Sequence, residues 1–153
     1  MGLREKFTET LKEAMKAKDT LRLEAVRMAI AEMKKRDIEA RATGNADGIG
    51  DAEIQSMLQK MIASRRDSIA LYEKGGRPEL AAKEAAEIAV LEGFLPQQMS
   101  AAETEEAAKA EIAAAGATTI RDMGKVMAAM KSKYTGKMDL GAASAAVKKL
   151  LGG

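Results

Sequence analysis

A chain of 153 residues with 46% apolar side chains can bury one ordinary domain or two very small ones without covalent staples. The sequence holds no Cys and no His, which removes disulfides, thiolate nucleophiles, the usual zinc sites and the side chain most used for acid–base work near neutral pH. Its net charge of +2 is unevenly spread: between Ala117 and Gly153 seven basic residues (Arg121, Lys125, Lys131, Lys133, Lys137, Lys148, Lys149) stand against Asp122 and Asp139, a local +5 that suits an anionic partner.

Ala, Leu, Met, Lys and Glu dominate, aromatic residues make up 3%, and no period-two run of β-branched residues is sustained, so the expected fold is all-α. Leu3, Phe7, Leu11 and Met15 mark a first helix, broken at Lys18-Asp19-Thr20, with Asp19 placed to cap the next. The second runs to about Arg41 on a stripe of Leu23, Val26, Ile30 and Met33. Three glycines with Asn45 and Asp47 predict a loop over 42–50, after which Asp51 can cap a third helix carrying Ile54, Met57, Leu58, Met61, Ile62, Ile69 and Tyr72. Gly75-Gly76 ends it, and Pro78 suits the first turn of a fourth helix with Leu80, Ile88 and Leu91 on its apolar side.

Pro96 and Gln97 form the expected boundary, because Ser100 and Glu103 make a capping box that starts a new helix. The reading is a four-helix bundle over residues 1–96 followed by a smaller three-helix bundle over 97–153. The helices of the second are expected at 101–115, stopped by Gly116, at about 119–133, and from Asp139 to 151.

Several constellations invite a chemical reading. Asn45, Asp47 and Gly48 resemble part of a calcium loop, but Thr43 and Ile54 fall where acidic ligands belong, so a turn is expected and no metal or other cofactor. Arg27 and Arg65 lie beside or on apolar stripes and Glu84 falls between Leu80 and Ile88. A buried cation needs a paired carboxylate, so these three predict an ion network joining helices two, three and four. Arg65, Arg66, Asp67, Ser68, Tyr72 and Arg77 gather three guanidinium groups, a hydroxyl and a phenol in one stretch, readable as a phosphate patch or as a solvated helix end. In the basic segment, Met123, Val126, Met127 and Met130 form a helical stripe. Gly124 inside that helix costs about 1 kcal/mol relative to Ala and marks close approach of a backbone or ligand. Gly124, Lys125, Lys131, Lys133, Gly136 and Lys137 are therefore the candidates for tracking a phosphate backbone, with a merely solvated basic face as the alternative.

Arg65-x-Asp67-Ser68, Tyr72-x-x-x-Gly76-Arg77, Glu87-Ile88-x-x-Leu91-x-x-Phe94-Leu95-Pro96 and Asp122-Met-Gly-Lys-Val-Met127, in this order, resemble the YqeY family over nearly the whole chain. The C-terminal half is similar to the tail domain of the B subunit of the tRNA-dependent amidotransferase, in which the tail helps to hold tRNA while the chemistry resides elsewhere. The resemblance implies a four-helix bundle followed by a three-helix bundle. It also implies a role in contacting tRNA, RNA or a tRNA-handling complex, carried by Gly124, Lys125, Lys131, Lys133 and Lys137, with no catalysis by this chain alone. A protein–protein adaptor is the alternative. Glutamine-dependent carbon–nitrogen ligase activity, exerted only within a larger complex, comes third. No apolar run approaches the roughly 18 residues that span a bilayer, and the N-terminal residues do not read as a signal peptide, so no membrane partner and a cytoplasmic location are expected.

Overall fold

The computed structural model describes residues 2–134 and 136–152. They form α1 (Leu3–Ala17), α2 (Thr20–Ala42), α3 (Asp51–Lys74), α4 (Pro78–Glu92), α5 (Ala101–Ala115), α6 (Met123–Tyr134) and α7 (Leu140–Leu150), with a 3₁₀ turn at Ile120–Asp122 and no strand among the described residues. The fold is all-α, as the composition requires. The chain divides into two compact units, Met1–Leu95 and Pro96–Gly153.

In the first unit the helix ends follow local chemistry. The Asp19 carboxylate accepts the Arg22 N–H at 3.2 Å at the start of α2, a cap worth about 1 kcal/mol. Pro78 occupies the first position of α4, where its missing N–H costs nothing. Asp51 departs from expectation. Gly50 occupies the N-cap of α3, while the Asp51 carboxylate accepts the Leu3 N–H at 3.2 Å, so it serves the start of α1. Phe7, Val26, Ile54, Met57, Leu58 and Leu91 are fully buried and form the core with their neighbours. Phe7 meets Phe94 edge to face with ring centroids 4.7 Å apart, a geometry worth about 0.5–1.5 kcal/mol beyond the area it buries. Met15, placed on the α1 stripe by spacing, is more than half exposed.

The loop between α2 and α3 is held by a buried carboxylate. Asp37 continues the spacing of Val26, Ile30 and Met33, so the helix carries it inward. Its oxygens accept from the two terminal guanidinium nitrogens of Arg4, at 2.8 and 2.5 Å, and from the Ile49 N–H at 2.9 Å, while Arg4 also donates to the Ile49 carbonyl at 2.8 Å. Gly48 turns the chain at φ +81°, with its α-carbon so close to this carboxylate that a β-carbon would strike it. Arg4 is the chief reason that the Asp37 carboxyl titrates low, at about 2.

In the second unit Ser100 and Glu103 complete the capping box at the start of α5, and Gly116 ends that helix in the left-handed conformation. Val126, Met130, Met138 and Val147 are the largest buried side chains of its core. The helix expected from about residue 119 begins later, because the Asp122 carboxylate accepts the N–H groups of Thr118 and Thr119 and closes a 3₁₀ turn first. Asp139 caps α7 by accepting the Gly141 N–H at 3.0 Å.

Candidate nucleic-acid interface

The sequence of α6 sorts its own faces. Val126 and Met130 are buried, with Met123, Met127 and Tyr134 packed beside them against the second core. Gly124, Ala128 and Ser132, four residues apart, fall on the opposite face and are exposed. Lys125 and Lys131 are also exposed, and at 100° per residue they stand on either side of this strip of small side chains. A β-carbon on Gly124 would meet nothing within 4 Å. No described residue therefore makes the close approach that the sequence suggested for Gly124.

The other candidates have different roles. Lys133 donates to Glu111 at 2.6 Å, and that hydrogen bond raises the ammonium's pKa. Glu111 is buried on α5, at the spacing of Thr104, Ala107 and Ala108. Lys133 thus compensates a buried carboxylate and ties α6 to α5. Gly136 is buried with φ +78°, and its carbonyl accepts the Gln98 amide at 2.5 Å; the Lys137 carbonyl accepts the Met99 N–H at 2.7 Å. These bonds fix the turn after α6 and leave the Lys137 side chain exposed. Asp122, near Lys125, has a lowered pKa, first through the Thr118 and Thr119 N–H groups and only last through Lys125. Its charge is engaged with backbone donors.

The stretch from Arg65 to Arg77 does not present three cations together as a patch. Arg65 is buried, and its Nη1 donates to Glu84 at 3.0 Å and to Glu87. Arg66 pairs with Glu92 at 3.1 Å and Arg77 with Glu79 at 2.8 Å, both at the surface. The Ser68 hydroxyl donates to the Ser64 carbonyl, Asp67 is exposed and Tyr72 is half-buried. Surface pairs of this kind contribute about 0–1 kcal/mol each. Arg27, expected in the network with Arg65 and Glu84, is exposed and has no ion pair among the described residues, because its position on α2 lies just outside the buried stripe of Val26 and Ala29. Arg65 takes Glu87 as its second carboxylate. Glu87 occupies the α4 stripe with Glu84, Ile88 and Leu91, a spacing that marks it as inward-facing and that the sequence reading passed over.

Fold and site together describe a small all-α protein whose second unit carries a basic, smooth helix face. A sequence model of the family described as "Yqey-like protein" matches residues 4–151, and the chain belongs to the YqeY family. It is similar to proteins named "Altered inheritance of mitochondria protein 41, mitochondrial". That of Lachancea thermotolerans is 32% identical over 99 residues, covering 65% of this chain and 51% of the relative. That of Kluyveromyces lactis is 34% identical over 86 residues, covering 56% and 44%. That of Eremothecium gossypii is 29% identical over 103 residues, covering 67% and 54%. The chain thus spans about half the length of the curated relatives it matches. These names overturn the cytoplasmic location expected from the sequence, since the relatives are mitochondrial proteins by name. An ordinary apolar content and the lack of an apolar run long enough to span a bilayer do not distinguish the two compartments.

Proposed function

We propose that the chain is a non-catalytic RNA-contacting protein whose second unit tracks the phosphate backbone of tRNA, or of RNA within a tRNA-handling complex, along the exposed face of α6. The observation that carries the reading is the strip of Gly124, Ala128 and Ser132 flanked by Lys125 and Lys131, with Lys137 exposed from the fixed turn that follows. Small side chains let a ribose–phosphate chain come close to the helix, and the ammonium groups on either side neutralise its phosphates. Lys133 supports this face indirectly through Glu111. The acids of the unit are concentrated on α5, where Glu103 is engaged in the capping box and Glu111 in the pair with Lys133. The resemblance of the C-terminal half to the amidotransferase tail is consistent with a role in holding tRNA, with any carbon–nitrogen bond formation belonging to a larger complex.

The test is titration of fluorescent bulk tRNA with wild type, Lys125→Glu, Lys131→Glu and, as a control on the other unit, Lys12→Glu. Binding that weakens at least tenfold in the two α6 variants and is unchanged in the control supports the reading. Equal binding by all four proteins, or none at 50 mM salt, refutes it.

A further inference from the structure

A groove in the first unit has no part in the RNA reading. The helix α3 packs mainly on α4, and α2 mainly on α1, leaving a cleft of about 390 Å³ between α2 and α3. Met28, Glu32 and Arg36, spaced by four, form one wall; Lys60, Ser64 and Ser68, spaced by four, form the other; Arg65 and Glu84 close the interior side. Clefts of this size hold metabolites.

Arg65 has capacity to spare here. Its side chain is 9% exposed, and Nη1 serves both Glu84 and Glu87. Among the described residues its Nη2 lines up only with the Met28 sulfur at 3.3 Å, and a thioether is a weak acceptor. A buried guanidinium edge facing a cleft across a thioether can exchange that partner for a carboxylate, which makes a charge-assisted bond.

The charges in the groove specify the ligand further. Arg36 is matched by Glu32 at 3.1 Å. Arg65 faces two carboxylates, a surplus of one negative charge, while Lys60 is exposed and has no ion pair among the described residues. A plain anion would be drawn to Arg65 and Lys60 but repelled by Glu84, and a plain cation would meet the reverse. A molecule carrying both charges a few ångströms apart satisfies both ends. We propose that the groove binds a small zwitterion of the α-amino acid class, its carboxylate displacing the Met28 sulfur from Arg65 Nη2 and reaching Lys60, its ammonium group against Glu84.

Calorimetric titration of the full chain with each of the twenty free amino acids, and with acetate and methylammonium as half-ligands, tests this. The expected result is at least one amino acid with a dissociation constant below about 10 mM, and half-ligands at least about tenfold weaker. Lys60→Met removes one charge-assisted contact and should weaken that ligand about tenfold, while Ser64→Leu fills the groove and should abolish binding. Both positions are exposed, and helical circular dichroism matching wild type confirms that each variant is folded. No amino acid binding below that limit, acetate binding as tightly as the best amino acid, or wild-type affinity in both variants would each overturn the proposal.

Discussion

Replacing Asp37 by Asn isolates one buried carboxylate and allows its contribution to be read against pH. Asp37 is 3% exposed, accepts two bonds from Arg4 and one from the Ile49 N–H, and titrates at about 2 against an ordinary 3.8. Lowering this carboxyl from 3.8 to about 2 corresponds to about 2 kcal/mol. The Arg4 side chain is 37% exposed, so solvent screening brings the ionic share down to about 1–2 kcal/mol. The Asn amide would also direct a donor at a guanidinium, which restores the expected loss at pH 7 to about 2 kcal/mol. Because the folded pKa lies below the unfolded one, this stability is fully present above about pH 5 and is lost as the pH falls from about 4 toward 2. Urea unfolding of both proteins in a Tyr134→Phe background lets Tyr72 report on the first unit. The midpoint should drop by about 1 M at pH 7, and the gap should narrow toward zero near pH 2. A gap below about 0.5 kcal/mol at pH 7, or one that stays constant from pH 7 to 2, would refute the role assigned to Asp37.

Other substitutions probe the remaining links. Gly48→Ala combines φ +81° with a β-carbon driven into the Asp37 carboxylate, so thermal unfolding should show a loss of about 2 kcal/mol or more. Gly124→Ala meets only open space and should raise stability by about 0.4–1 kcal/mol, whereas Gly124→Leu should leave stability intact and weaken tRNA binding by obstructing the strip. Glu87→Leu leaves the guanidinium balanced by Glu84 and should cost about 1–2 kcal/mol, whereas Arg65→Met leaves Glu84 and the buried Glu87 without their cation and should cost about 3 kcal/mol or more in the same unfolding assay. Ser100→Ala removes the α5 cap and should cost about 1 kcal/mol, read as a lower thermal midpoint of the second unit.

The helices were readable from the sequence because their start and stop signals are local. Asp19, Pro78, Ser100 with Glu103, Gly116 and Asp139 act within a few residues of themselves, and each occupies the position that its chemistry favours. What failed to show was pairing across helices. Asp51 has the spacing of a local cap but reaches Leu3, and the sequence carries no sign of which end it will serve. Asp37, Glu87 and Glu111 each extend an apolar stripe by helical spacing, so their burial could have been inferred. Their partners Arg4, Arg65 and Lys133 lie 22 to 33 residues away and depend on how the helices pack. Arg27 illustrates the reverse error, since one step around α2 from Val26 is enough to turn a side chain from core to solvent. Within the basic segment, composition singled out the lysines but could not separate Lys133, engaged with Glu111, from Lys125, which faces outward.

The salt dependence of tRNA binding tests the central claim most directly. With Lys125, Lys131 and Lys137 on phosphates, log K should fall against log salt with a slope of about −2 to −3, and each Lys→Ala variant should make that slope shallower by nearly one. A slope near zero, or one that the three variants leave unchanged, would contradict an RNA interface on α6.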